Sequence, residues 1–464
     1  MKNMTLRSIA AACGGTYYGD AQEEDREIFG VVTDSRQVQA GYLYIAMRGQ
    51  RVDGHSFIPD VFRKEAAAVS EEILEAADGP YILVESCPQA LKDIAEYYRG
   101  QIHTKIVGIA GSVGKTSTKE MVASVLSVKF RVLKTEGNFN NEIGLPLTLL
   151  RIRDEHEVAV VEMGISDFGE MHRLAKMARP DICVMTNIGQ CHLENLIDRD
   201  GVLRAKSEMF DFLKKDGAVI LNGNDDKLST IETVHGITPI RYLVDDGTVR
   251  RGKQEYYVIA DGIVNRGLKG MEAMLHFEGE DCVIREPIPG IHNIYNACAA
   301  ACVGHVLGMS NAQVCKGIAH AKTLAGRTNL IPCGGVTIID DCYNANPVSM
   351  RASLDVLALA EGKKIAVLGD MGELGTDEKE LHEEIGAYAV EKRIDYVLCT
   401  GELARNLADA AAEGCHAEWF PDRDRLLERL FHLVSPGDTV LVKASHFMNF
   451  SAVVKELRDF LAPE

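Results

Sequence analysis

The sequence predicts an α/β architecture in three consecutive segments, the second and third being mostly parallel sheets covered by helices. Three observations carry that expectation. Apolar runs ending in polar residues recur over 158–162, 182–187 and 218–222, with helical patterns between them. The same rhythm returns over 336–340, 364–368, 396–400 and 439–443. Between 105 and 117 a short apolar run turns through glycines into a helix pattern, with Met121, Val122, Val125 and Leu126 at helical spacing. The segments are bounded at 1–103, 104–323 and 324–464.

A chain of 464 residues exceeds what one hydrophobic core holds, so several domains are expected. Its 46% hydrophobic and 25% charged residues are those of a soluble globular protein, and no apolar run approaches a membrane span. The formal net charge of −18 argues against general nucleic-acid or anionic-membrane binding. A polyanionic ligand must therefore be met by local basic residues and Mg²⁺. Arg7 interrupts the apolar stretch before Cys13 and leaves it too short for a signal peptide; a helix ending at Gly14-Gly15 accounts for it. A cytoplasmic protein is expected. Twelve cysteines with no C-x-x-C pair, several inside apolar patterns such as Cys183, Cys298 and Cys302, read as small core residues in a reducing compartment.

In the first segment, strands are expected at 31–36, running into a polar loop, and at 42–47, with a helix over 57–69. Arg36 and Arg48 sit in polar loops, able to pair with carboxylates or to bind an anionic ligand, a solvated salt bridge being the commoner fate.

The second segment carries the strongest local signal. Gly111-Ser112-Val113-Gly114-Lys115-Thr116-Ser117 is a tighter variant of the phosphate loop G-x-x-x-x-G-K-[ST], whose first glycine would fall at Ile109. A buried strand turning through glycines into a helix N-terminus offers a pocket of backbone N–H groups for phosphate. Lys115 would reach the β/γ-phosphates and Thr116 would hold Mg²⁺. Ligands of such sheets gather at the strand carboxyl ends. Glu162 and Asn187 fall there and His192 lies in the following loop, so Thr116, Glu162 and His192 are candidate hard-ion ligands from three sheet ends. A helix cap or salt bridge is the other reading of Glu162, and a satisfied polar histidine that of His192. From pattern alone, Lys206 is an exposed helix lysine. Asn293 and Asn296 share one face of the first turn of an Ala-rich helix, able to cap it or to hydrogen-bond a base. No NKxD-type guanine signature follows, which disfavours a GTPase switch.

The third segment is Rossmann-like in rhythm but lacks G-x-G-x-x-G. Its strand ends carry Asp340-Asp341-Cys342-Tyr343-Asn344-Ala345-Asn346-Pro347 and Gly369-Asp370-Met371-Gly372-Glu373-Leu374-Gly375. Two polar loops at strand ends suggest a face that closes over a ligand held by the second segment.

Together these motifs resemble the Mur ligases. The resemblance rests on the 111–119 loop, Asn140-Asn141-Glu142-Ile143-Gly144-Leu145-Pro146, Gly290-Ile291-His292-Asn293-Ile294-Tyr295-Asn296 and the 340–347 loop. Asp34-Ser35-Arg36 and Asp53-Gly54-His55 are similar to the family's uridine-nucleotide domain. It covers essentially the whole chain. Within the family, Leu368-Gly369-Asp370-Met371-Gly372-Glu373-Leu374-Gly375 resembles the branch that adds D-alanyl-D-alanine to a UDP-linked muramoyl tripeptide. The D-N-P-R tetrapeptide of the branch selecting meso-diaminopimelate does not occur. Lys443-Ala444-Ser445-His446 replaces the common K-G-S-R, so no basic fork is assigned to His446.

The resemblance implies a uridine-nucleotide-binding first domain, a phosphate-loop ATPase-like second domain and a Rossmann-like third domain that takes the amine. It implies ATP and two Mg²⁺, with Lys206 carbamylated by CO₂ and sharing the second ion with Glu162 and His192. Asn293 and Asn296 would contact adenine, Arg327 the γ-phosphate, and Asp341 the ribose side. Ser35, Arg36, Arg48, Asn140, Asn141, Tyr343, Asn344 and Asn346 would contact substrate. The reaction implied is amide formation through an acyl phosphate by a monomer. Two rival readings share the loop: a related Mur or folylpolyglutamate-type ligase with another amine acceptor, and a nucleotide-binding switch without catalysis.

Overall fold

Three sheets order the chain in the computed structural model, which describes residues 1–75, 77–248 and 255–462. The central one has nine strands. In spatial order they are Glu280–Glu286, Met271–Phe277, Val258–Asn265, Ile240–Val244, Ala218–Asn222, Ile182–Met185, Lys105–Ala110, Val158–Glu162 and Val132–Lys134. Seven run parallel, and Met271–Phe277 and Glu280–Glu286 at one edge fold back as an antiparallel meander after Val258–Asn265. The inner strands read as unbroken apolar runs because both faces are covered. Ile106 and Ala110 enter one core, and Val107 and Ile109 enter the other; Ala159 and Val161 alternate with Val158 and Val160 in the same way.

One of those cores is shared with the first segment. A five-stranded sheet, ordered Thr16–Tyr18, Tyr81–Leu83, Ala67–Ser70, Leu43–Ile45 and Val31–Val32, leads through the helix Cys87–Arg99 onto the central sheet. Leu91 and Ile94 of that helix belong to the same apolar cluster as Leu174 and Met185. The helix ends in a buried polar lock. Arg99 donates to the carbonyls of Ala178 (2.7 Å) and Arg179 (3.1 Å) and pairs with Asp181 at 3.2 Å.

The third sheet has six strands, ordered Asn329–Cys333, Val336–Asp340, Thr439–Lys443, Lys364–Leu368, Tyr396–Thr400 and His416–Phe420, all parallel except the first. Ala366 and Leu368 face one core and Ile365 and Val367 the other. Among the described residues, no helix is long and apolar enough to cross a membrane.

Several local expectations are corrected. The helix expected over 57–69 is Ile58–Arg63, and Ala67–Ser70 is a fully buried strand. Glu65 takes φ 58°, which ends the helix, and Ala-Ala-Val fits the crowded sheet interior as well as a helix face. The strand expected at 31–36 is two residues long, because Asp34 caps a single turn at Ser35–Gln37. The run 182–187 leaves the ladder after Met185, and the meander over 258–286 was not anticipated.

The Arg99 lock yields a test. Arg99→Met removes one partner of a buried pair and should cost about 3 kcal/mol. A lower denaturant midpoint for the first transition is the expected result; an unchanged midpoint would mean Lys105 and Lys214 already satisfy Asp181.

Candidate functional site

The loop that opens the helix Lys115–Leu126 is shaped by two glycines. Gly114 sits at φ 78° as the residue before the helix, and Gly111 at φ 151° lies against Thr186, where any Cβ would overlap the Thr186 hydroxyl. The neighbouring strand end holds the loop open. Asn187 Oδ1 accepts from Val113 N–H (3.0 Å), and its Nδ2 donates to Val113 C=O (3.1 Å). Thr186 Oγ1 donates to the same carbonyl at 2.7 Å, and Ser112 N–H donates to Asn187 C=O at 3.0 Å. These bonds are why Thr186 and Asn187 leave the ladder. Lys115 folds back onto the loop, donating to the Gly111 (2.8 Å) and Ser112 (3.2 Å) carbonyls. Burial lowers its amine below the usual lysine range, with Glu162 opposing that shift.

A cavity of about 530 Å³ lies between this loop and the third segment. Ser112, Val113, Gly114, Lys115, Thr116 and Ser117 form its floor, and Asn140, Asn141, Glu162 and His192 one wall. Asn296 also lines it, and Arg327, Asp341, Tyr343, Asn344 and Asn346 enter from the third segment. Glu162 ends its strand fully buried; Thr116 Oγ1 donates to its Oε2 (2.9 Å) and Asn140 Nδ2 to its Oε1 (2.8 Å).

Other side chains carry both cavity and scaffold. Asn141 Oδ1 accepts from the Ile143 and Gly144 amides, and Asn346 caps the helix Pro347–Ala358 through Ser349 N–H. Asn296 Oδ1 accepts from Thr118 (2.7 Å), while its Nδ2 donates to Asn293 Oδ1 (3.0 Å), tying the Ala-rich helix His292–Val306 to the loop helix. Asn293 lines a small neighbouring cavity with Thr116, Ser117 and Arg327. The Arg327 guanidinium stacks on Tyr343 at 4.0 Å, and the His446 ring lies 5.3 Å from Tyr343.

Asp341 is buried with Lys443, 2.6 Å away, and also accepts from Ser353 and Thr328 N–H. Burial pushes its carboxyl up, but Lys443 and those donors outweigh it and hold it below the usual carboxylate range. Lys443 ends an apolar strand run, the same signal that singled out Glu162, but in the sequence it stands out only within the 443–446 motif, with no role at the site. His192 pairs with Glu373 of the third segment at 2.7 Å, a bridge between segments that no motif announces.

Lys206 contradicts its pattern reading. It is 1% exposed, because its face of the helix Arg199–Ser207 turns inward with Val202 and Ala205. Burial brings its amine down to about 8, against a raising effect of Cys191 and with repulsion from Lys115. Among the described residues its amine has no hydrogen-bond or ion-pair partner, and no group of three His, Cys, Asp or Glu side chains is placed to hold a metal. Ser35, Arg36 and Arg48 do not line the cavity. Arg36 pairs with Asp34 at 2.7 Å, and Arg48 with Glu71 and Glu72 at 3.0 and 2.7 Å. In this arrangement both arginines take the salt-bridge option.

Three family models match the chain: "Mur ligase family, catalytic domain" over residues 27–99, "Mur ligase middle domain" over 109–304 and "Mur ligase, glutamate ligase domain" over 326–446. The chain is 36% identical to the UDP-N-acetylmuramoyl-tripeptide–D-alanyl-D-alanine ligase of Bacillus subtilis, over 98% of this chain and 99% of that protein. It superposes on a crystal structure of MurF from Acinetobacter baumannii with a TM-score of 0.87 and 31% identity, covering 98% and 99% of the two chains. MurF from Thermotoga maritima in complex with ADP gives 0.79 at 30% identity, covering 93% and 97%.

The clamp on the loop can be tested directly. Asn187→Leu deletes both bonds to Val113 and leaves a partly buried N–H unpaired, an effect of about 2 kcal/mol, or roughly thirtyfold weaker ATP binding. Calorimetric titration with ATP measures it; wild-type affinity would show that the loop keeps its shape without Asn187.

Proposed function

The chain belongs to the Mur ligase family, and from that membership we propose that the cavity between its second and third segments joins D-alanyl-D-alanine to UDP-N-acetylmuramoyl-tripeptide. The reaction is an ATP-dependent ligation in peptidoglycan precursor synthesis, and its nucleotide-linked substrates assign it to the cytoplasm. In this reading residues 1–103 hold the uridine nucleotide, 104–323 hold ATP, and 324–464 present the amine. The observation that carries it is the convergence of Lys115 and Thr116 with Arg327 and Asp341 on one cavity.

The chemistry explains the residues. A carboxylate resists an amine because oxide is a poor leaving group. The terminal carboxylate of the tripeptide therefore attacks the γ-phosphorus of ATP, releasing ADP and giving an acyl phosphate. The neutral amine of D-alanyl-D-alanine then attacks the acyl carbon, loses a proton, and phosphate leaves. Two anions must meet in the first step. Lys115 and Arg327 supply fixed cations there, and the loop N–H groups hold the phosphates. The third segment excludes water from an intermediate that water would destroy. Tyr343 keeps the Arg327 guanidinium at the cavity in advance of substrate.

The residues also fit Mg²⁺, which binds through one or two carboxylates plus substrate phosphates. Thr116 and Glu162 would hold one ion, and Glu162, His192 and carbamylated Lys206 a second; bound there, the ions would neutralise charge developing on the phosphoryl group. A buried amine held near 8 suits Lys206 for carbamylation, because only the neutral form adds CO₂. Deprotonation grows as pH rises through about 8, so CO₂ uptake should grow with it.

Phosphate release from UDP-N-acetylmuramoyl-tripeptide and ATP, assayed with a panel of amines, tests the assignment. D-alanyl-D-alanine should support turnover; turnover with single amino acids alone would overturn it. Lys206→Ala should lose about 100-fold or more in rate and regain part with added formate or acetate. A near-wild-type rate in that variant would remove the carbamate from the account while leaving the ligase reading in place.

A further inference from the structure

The edge of the central sheet farthest from the reaction carries a pair of thiols with no part in it. Cys282 lies on the outermost strand, Glu280–Glu286, and Cys315 on the helix Asn311–Ala319. The helix is moored to that strand by Asn311 Nδ2, which donates to Glu280 Oε2 at 3.1 Å. The two sulfurs are 2.7 Å apart. A disulfide brings sulfurs to about 2.05 Å, so the two sulfurs already lie close to bonding distance.

The pair is distinct from the other ten cysteines. Cys183, Cys298, Cys302 and Cys399 are sealed in apolar cores. Cys13 and Cys333 are half-buried like the pair, but their thiols donate to the Ala10 and Arg458 carbonyls. Among the described residues no other cysteine thiol hydrogen-bonds to a second cysteine sulfur. The reading of the cysteines as small core residues fits the buried ones, whereas Cys282 and Cys315 are half-buried.

We propose that Cys282 and Cys315 are a redox-modification site, converted to an intrachain disulfide by a low-molecular-weight disulfide. The Cys282 thiolate attacks one sulfur of the oxidant, forming a mixed disulfide and expelling one small thiolate. Cys315 loses its proton and attacks the Cys282 sulfur, forming the intrachain bond and expelling the second small thiolate. Two electrons pass from the protein to the oxidant, and the two protein protons end on the two small thiols. The geometry assigns the order of attack: Cys315 donates its S–H to Cys282, which holds the Cys282 thiol below its ordinary range against burial and raises that of Cys315.

The cross-link would fasten a helix that packs on the loop helix. Ser124 Oγ donates to Gly317 C=O at 2.7 Å, and a Cβ at Gly317 would overlap Val125 Cα. The same helix runs on into Ala321–Leu324, which line the small cavity beside Thr116 and Arg327. The bond would fix that run between the sheet edge and the phosphate loop.

The experiment treats the purified full-length protein with oxidised glutathione, blocks free thiols by alkylation, and reads intact mass and peptide maps. The expected result is loss of two thiols from the twelve, a Cys282–Cys315 cross-linked peptide, and reversal by dithiothreitol. Cys315→Ser should stop at one glutathione on Cys282. Retention of all thiols in the wild type, a mixed disulfide that does not close, or a cross-link between other cysteines would each overturn the proposal.

Discussion

The site depends on a loop of backbone N–H groups that must stay open and aimed with nothing bound. A run such as Gly-Ser-Val-Gly has no side chain large enough to hold itself in shape. The neighbouring strand does it from outside. Thr186 and Asn187 together make three bonds to the Val113 peptide groups, and the Ser112 amide returns one to the Asn187 carbonyl. The cost of leaving these peptide groups unpaired is what makes the clamp effective. The same strand end offers Asn222 Nδ2 a carbonyl at Thr186, so the clamp is continued across the sheet. Parallel strands put these ends side by side, and that is why a phosphate loop, a carboxylate at Glu162 and an amide at Asn187 share one edge.

A second constraint comes from the third segment. Its cavity-facing side chains are ordered by each other: Lys443 and Ser353 fix Asp341, and Tyr343 supports Arg327 from one side and lies against His446. The histidine at 446, where the family commonly has arginine, thus finds an aromatic partner. The His192–Glu373 pair joins the second and third segments beside the cavity that His192 lines. A cation held at Arg327 on the wall of the cavity serves the proposed first step, since an acyl phosphate must form near charge.

Much of this was legible in the sequence, and the failures have physical causes. The inner strands were visible because burial on both faces leaves runs such as Val158-Ala159-Val160-Val161 without a polar break. The meander at 258–286 was not, because an exposed edge alternates apolar with polar residues and its hairpin glycines resemble loop. Ala66-Ala67-Ala68-Val69 fits a helix face and a crowded strand equally, and only its neighbours in the sheet decide. Glu162, Thr116 and Arg327 reached the cavity as their motifs implied, while Lys443 needed the knowledge that its strand lies beside Val336–Asp340. Lys206 shows the limit of pattern most plainly. A lysine beside alanine and serine on a helix reads as solvated, yet burial lowers its amine, with Lys115, remote in sequence, adding to the shift and Cys191 opposing it.

The central claim is that the γ-phosphate passes to a carboxylate before the amide forms. An isotope measurement tests it without any variant. With the terminal carboxylate of the tripeptide substrate labelled with ¹⁸O, the released phosphate should carry one labelled oxygen per turnover, read by mass spectrometry. Phosphate free of label while amide product accumulates would contradict the account, because the carboxylate would then never have been phosphorylated.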